Sequence, residues 1–342
     1  MWNPDKYLGN LYQNTKPEFN FNAKSMEEFD SWRQGLKQSL MKDLGHFPKK
    51  ETPLNAKVIE EREYESYLLQ RVVYDGDIDL PIPAYILIPK NTVGKLPAVV
   101  ACHGHGYGSR EIVGLNPDGT DNNGDPGYQK NFAIELVKRG FIVIVPELLG
   151  FGDRRLDEDL DNDPNSNSCH MISTYLLMMG KTMAGLRIND VTRTIDYLET
   201  RDDVDINSIG CMGISGGGLV CGFATALDDR IKAAVVSGYI NTFIDSVMSL
   251  YHCVDNFIPG VVKHAEMPEI IGLVAPKPLL VESGIEDEIF PIEASKEAYD
   301  KIRDIYRFLD AEDKIDSDFF VGTHEISGVK AYDWLEKWLK RV

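Results

Sequence analysis

The residues best placed to do chemistry centre on Ser215, in Gly213-Ile214-Ser215-Gly216-Gly217. Upstream, Ile209, Cys211 and Met212 make a short apolar run, and downstream Leu219, Val220, Phe223 and Ala224 recur at helical spacing. The stretch reads as strand, sharp turn, helix, with glycines where a Cβ would collide with a neighbouring strand or helix. Such a bend lifts a serine hydroxyl above a sheet, where a base can reach it. The helix that follows points its positive end at the place where an oxyanion would form. The plainer alternative is a glycine-rich loop that contains a serine, and the rest of the chain has to decide between them.

A serine nucleophile needs a histidine base, an acid to orient it, and donors for the oxyanion. Of seven histidines, His324 stands just beyond the last expected strand, in Phe319-Phe320-Val321-Gly322-Thr323-His324. A loop there can hang over the sheet edge and reach Ser215. Asp287 follows a buried strand in Glu282-Ser283-Gly284-Ile285-Glu286-Asp287, flanked by Glu286 and Glu288 as competitors. The order Ser215, Asp287, His324 is the one that this strand–turn–helix arrangement uses. One oxyanion donor is expected from the N–H of Gly216. The other is assigned to His105, with Gly106 as second choice, in the loop His103-Gly104-His105-Gly106-Tyr107-Gly108. That loop lacks a full G-x-G-x-x-G pattern and a following acidic residue, so a dinucleotide turn is set aside. His103-x-His105 is the one candidate metal pair. With no HExxH and no carboxylate cluster beside it, no metal is expected. Tyr107, Tyr175 and Tyr239 are expected to line a small amphipathic pocket. Glu147, at the end of a strand, is expected to fix the His103 loop or to touch substrate. Asp190, on a helix whose apolar face is inward, is expected to be structural.

These residues must be positioned by a sheet. Ser25-x-x-Glu28 is a capping box, followed by Phe29, Trp32, Leu36 and Leu40 along one helical face. Residues 1–55 therefore read as a helical extension packed on the main domain or on a second subunit. Residues 67–74 and 82–88 alternate with period two around a turn and read as antiparallel strands. From Leu96 strands and helices alternate: strands at 97–102, 141–145, 206–212, 231–237, 278–282 and 316–321, helices at 128–139, 183–200, 216–227, 291–309 and 328–340. Alternation of this kind makes a mostly parallel sheet covered on both faces. Residues 56–342 thus form an α/β domain, with loop insertions at about 107–127, 153–182 and 238–275 that shape a ligand site.

Taken together, His103-Gly104-x-Gly106, Gly213-x-Ser215-x-Gly217, Gly284-x-x-Asp287-x-x-Phe290-Pro291 and Gly322-x-His324 resemble the α/β-hydrolase superfamily. More narrowly, they are similar to its dienelactone-hydrolase-like and acetyl xylan esterase-like branch. Asn256-Phe257-Ile258-Pro259-Gly260 and Leu273-Val274-Ala275-Pro276-Lys277-Pro278-Leu279 agree with that branch. The resemblance runs from about residue 67 to the C-terminus. It implies an α/β-hydrolase fold and a serine hydrolase of carboxylic esters, often acetyl groups on sugars, with no cofactor. It also implies Ser215 as nucleophile, His324 as base and Asp287 as orienting acid. The chain departs from the branch at two points. Position 216 is glycine where many sugar deacetylases of this type carry glutamine, and dienelactone hydrolases proper use cysteine where this chain has Ser215. An amidase, a peptidase, a carbon–carbon hydrolase, or an idle fold that binds a ligand would share the same frame.

Composition limits the partners. The 342 residues carry 54 acidic against 36 basic side chains, a formal charge of −18, which repels nucleic acid and anionic membranes. A small-molecule ester is the expected partner, with a homo-oligomer through the N-terminal helix as the further expectation. Five scattered cysteines without a CxxC, and a start lacking a basic region before an apolar run, lead to the expectation of a cytoplasmic protein with reduced thiols.

Overall fold

The computed structural model describes residues 2–46 and 52–340. Positions 47–51 of the N-terminal extension lie outside the described residues. The chain opens with α1 (Asp5–Asn14) and α2 (Met26–Asp43), then the strands β1 (Lys57–Glu63), β2 (Tyr67–Asp77), β3 (Leu80–Pro89) and β4 (Leu96–Cys102). The short α3 (Ser109–Ile112) and α4 (Phe132–Lys138) precede β5 (Ile142–Pro146), α5 (Cys169–Met178), α6 (Met183–Glu199), β6 (Val204–Ile214) and α7 (Gly216–Leu227). β7 (Ile231–Ser237), α8 (Val261–His264), α9 (Met267–Gly272), β8 (Leu279–Gly284), α10 (Ile292–Phe308), β9 (Ile315–Phe320) and α11 (Ala331–Leu339) complete it.

The strands form one sheet in the order β1-β2-β3-β5-β4-β6-β7-β8-β9. β1, β2, β3 and β5 pair antiparallel, and every pairing from β5 to β9 is parallel. The central strands β4, β5, β6 and β7 carry almost nothing but apolar residues along their buried lengths, as strands covered on both faces must. One core lies under α2, α6, α7, α9 and α10, and a second under α4 and α11. The chain therefore has an α/β-hydrolase fold: a mixed, mostly parallel sheet with helices on both faces. No helix among the described residues is long and apolar enough to cross a membrane.

α2 is capped as its sequence requires. The Ser25 hydroxyl accepts from the Glu28 N–H, and the Glu28 carboxylate reaches back to the Lys24 N–H. Its stripe of Phe29, Trp32, Leu36 and Leu40 is buried within this chain, where Phe29 stacks on Phe308 of α10. Among the elements with no counterpart in the sequence reading are α1 and β1. α1 buries no residue and leaves Tyr7, Leu8 and Leu11 exposed, and β1 is almost wholly exposed. Another element differs in length: the helix expected from 128 begins at Phe132, because Lys130 and Asn131 take left-handed backbone angles (φ 53° and 49°) that stop helix propagation.

Candidate active site

Ser215 sits between β6 and α7 with φ 58° and ψ −127°, a conformation costly for any residue with a Cβ. Its N–H is tied to Ser237 O on the next strand, and its carbonyl starts α7 by accepting from Leu219. The crossing is so close that a Cβ on Gly217 would run into the carbonyls of Cys102 and His103, and one on Gly213 into the Gly217 carbonyl. Glycine is the only residue that fits either place. The bend leaves Ser215 and Gly216 lining a cavity of about 820 Å³ over the sheet's C-terminal edge.

His324 lines the same cavity. Its Nδ1 lies 2.7 Å from Asp287 Oδ2, and its Nε2 is buried without a hydrogen-bond partner. Asp287 is itself held: Oδ1 accepts from the N–H groups of Ile289 (2.8 Å) and Phe290 (3.0 Å). The imidazole stacks against the rings of Tyr128 and Phe290, both 5.7 Å away, which fixes its plane. With Nδ1 committed to a carboxylate, the free Nε2 is the nitrogen able to take a proton from a group in the cavity. Glu286 and Glu288, the neighbours of Asp287, are exposed.

The His103–Gly108 loop closes the other side. His105 lines the cavity, and its ring lies 3.4 Å from where a Cβ on Gly216 would be. Tyr128 Oη donates to the His105 carbonyl (2.6 Å), and the Gly104 N–H donates to the buried Gln129 side chain (2.7 Å). Both holds fix the loop beside the start of α7. His103 points the other way and is fully buried, with Nδ1 2.8 Å from Gly104 O and Nε2 accepting from the Leu148 N–H. Both of its nitrogens are occupied, so the His103-x-His105 pair cannot share a metal.

Four residues expected at a substrate pocket are placed elsewhere, the first being Tyr175, which is exposed on α5 and does not line the cavity. Glu147 is fully buried beneath the loop, where its carboxylate accepts from Ser109 N (2.7 Å) and Ser109 Oγ (2.8 Å). Burial alone would push its carboxyl up; His103, the Arg71 guanidinium at 3.9 Å and the Ser109 N–H outweigh it and bring it down to about 2. Tyr239 is fully buried against Phe290, because Gly238 (φ 51°) turns the chain back into the core. Tyr107 lines a separate groove with Arg110 and Asp153. Asp190 is paired in the core with Arg154 (2.5 Å), whose guanidinium also bonds the Glu147 carbonyl.

The cavity wall is instead built from Asn167 and His170, from the run Leu250–Val254 with Asn256 and Phe257, and from Ile289 and Phe290. The sequence reading places the 153–182 and 238–275 insertions around a ligand site without choosing these side chains. The Asn256-Phe257-Ile258-Pro259-Gly260 stretch is the signal that could have pointed to them.

This frame has known relatives. The Abhydrolase family profile matches residues 7–316. The chain belongs to that family. A Bacillus subtilis (strain 168) protein, YtaP, named as a hydrolase, is 29% identical over 90% of this chain and the whole of its own. Among solved structures, one described as an acetyl xylan esterase from Bacteroides fragilis NCTC 9343 superposes with a TM-score of 0.80, at 20% identity over 94% of this chain and 83% of that one. A glucuronoyl esterase from Solibacter usitatus superposes with a TM-score of 0.63, at 14% identity over 91% of each. At such identities the two structures speak for the fold. The protein is a hydrolase of the α/β-hydrolase fold.

Proposed function

We propose that the protein is a serine carboxylic-ester hydrolase in which Ser215 is nucleophile, His324 general base and Asp287 the acid that orients it. The observation that carries this is the commitment of His324 Nδ1 to Asp287, with Nε2 left free in the cavity that holds the strained Ser215. His324 takes the hydroxyl proton as Ser215 Oγ attacks the ester carbonyl. The N–H groups of Gly216 and His105 receive the oxyanion, and the proton passes to the departing alcohol. Water then attacks the acyl-enzyme by the same route in reverse.

Small neutral esters, such as acetylated sugars or other short-chain esters, suit the cavity. Its lining mixes aromatic and aliphatic residues with Asn167, Asn256 and the imidazoles of His105, His170 and His252, and among the described residues includes no Lys, Arg, Asp or Glu. A substrate with a free carboxylate would find no lysine or arginine there among the described residues. The similarity to a protein described as an acetyl xylan esterase supports the same class.

The test is hydrolysis of p-nitrophenyl acetate by the native protein and by Ser215→Ala. Clear native turnover that drops about a thousandfold or more in the variant is expected. An inactive native protein, or a variant as active as it, overturns the proposal. A matched anilide run alongside separates esterase from amidase, and a short panel of acetyl esters of neutral sugars and of uronic acids with a free carboxylate reads the expected preference for uncharged substrates.

A further inference from the structure

Beside the same cavity, which His105 and Cys253 line, four side chains from three segments converge: His105 from the loop after β4, the buried Cys169 at the start of α5, and Cys253 and the buried Asp255 from the excursion between β7 and β8. One ligand atom from each lies within 4.8 Å of all the others, the one such group among the described residues. None of these side chains has a part in the triad.

Two further observations point to a cation. His105 Nε2 is buried without a hydrogen-bond partner, with Asp255 Oδ2 3.4 Å away. The Phe151 ring stands edge-on to the imidazole at 5.0 Å and restricts its rotation. Second, the charge balance is right for a dication. Asp255 already has its counter-ion in Arg187, which donates to Oδ2 at 2.6 Å and to Cys169 Sγ at 3.1 Å. Two thiolates would balance a dication, so the buried site would take on no net charge. Ligands around a tetrahedral zinc ion, at about 2.0–2.3 Å from it, stand roughly 3.3–3.8 Å apart. The widest pair must therefore close by about 1 Å. Cys253 can supply that movement, because it lies in a loop and is only partly buried.

We propose that His105, Cys169, Cys253 and Asp255 form a binding site for a soft divalent cation of the zinc class, and that its occupation inhibits the hydrolase. Two sulfurs and an imidazole select such ions over magnesium or calcium. Binding forms two metal–sulfur bonds and releases the two thiol protons to solvent. The protein fills all four positions, so no water is held for activation. Inhibition follows from position: the His105 ring packs against Gly216, and His105 carries a proposed oxyanion donor. Pulling that ring toward Cys169 moves the donor away from the start of α7. The inhibitory half of the proposal rests on the esterase reading, whereas the binding half does not.

The experiment is titration of the reduced full-length protein with Co²⁺, followed by absorbance. One equivalent is expected to bind with a thiolate-to-cobalt charge-transfer band in the near ultraviolet. Cys169→Ser and Cys253→Ser, each checked for native circular dichroism, should bind at least tenfold more weakly and lose most of that band. No band with the native protein, or an undiminished band in both variants, overturns the site. Zn²⁺ should lower native p-nitrophenyl acetate turnover at least tenfold, and by less than twofold in Cys169→Ser relative to that variant's own metal-free rate. Stoichiometric binding that leaves turnover unchanged overturns the inhibition. A protein that binds cobalt but hydrolyses no ester fails on the esterase proposal alone.

Discussion

Two buried glutamates hold the two halves of the site, and their chemistry is opposite. Glu147, just past the end of β5, anchors the loop that carries His105; Glu282, in β8, anchors the loop that carries His324. Glu282 accepts from the N–H groups of Ser327 and Gly328, both at 3.0 Å, and from Ser237 Oγ at 2.9 Å. Burial pushes its carboxyl up to about 7, with Asp318 adding to the rise and those three donors only moderating it. Glu147 is just as buried but has Arg71 and His103 beside it, and it ends near 2. Burial therefore does not decide the charge state of these anchors. The groups beside each carboxyl do, His103 first and then Arg71 for Glu147. One loop is held by an ion at any ordinary pH, and the other by a carboxyl that changes state near neutrality.

Removing the cation-paired anchor should have the largest effect. Glu147→Leu leaves the Ser109 N–H and hydroxyl buried without their acceptor and removes one of the two carboxylates beside the Arg71 guanidinium, a loss of about 3 kcal/mol. Urea unfolding should register that loss, and ester turnover should fall with it as the His105 loop loosens. A variant as stable as the native protein would show that Asp153, the other partner of Arg71 at 2.6 Å, holds the loop alone.

The comparison sharpens when pH is varied. Glu147 is depressed from its ordinary 4.5, so its contribution is fully present above about pH 4.5 and is lost as pH falls toward 2. That loss amounts to about 3 kcal/mol and should be missing from the acid limb of Glu147→Gln. Glu282 is raised, so its contribution is fully present below pH 4.5 and is lost as pH rises through about 7. The midpoint of thermal unfolding should therefore fall between pH 5 and pH 8 in the native protein, and less steeply in Glu282→Gln. Identical slopes in the two proteins would mean that the Ser327 and Gly328 N–H groups hold the ionised form well enough to cancel its burial.

What the sequence made legible follows from how locally each feature is encoded. The bend at Ser215 is carried by five consecutive residues, and the turns bearing Asp287 and His324 by similarly short runs, so their places on the sheet could be read directly. Glu147 could be read as a loop anchor because it closes an apolar strand and precedes the glycines that its carboxylate packs against. The cavity wall could not. Asn167, Tyr251 and Phe290 meet only through the packing of separate excursions, and no period in the chain records that meeting. Tyr239 misled for a related reason: an aromatic residue just past a strand end suggests a pocket, yet the turn at Gly238 aims it into the core. The convergence of His105 with Cys169 and Cys253 was hidden in the same way, because three segments contribute to it.

The smallest effect should come from the side chain that joins the two halves. Tyr128 Oη donates to the His105 carbonyl, its ring stacks on His324, and its own carbonyl accepts from Ile326 in the histidine loop. Tyr128→Phe keeps the ring and therefore the stacking, and removes only the hydrogen bond to the loop. The loss of one such bond is worth about 1 kcal/mol, or roughly fivefold in a rate if it is felt in the transition state. If Tyr128 positions the oxyanion donor, the reduction should appear in kcat with KM little changed, because the donor acts on charge that develops only during attack. If Tyr128 serves instead as a wall of the cavity, the change should appear in KM and grow with the size of the alcohol group. A fivefold loss in kcat that is the same for small and large esters would tie the two halves of the site together through this one hydroxyl.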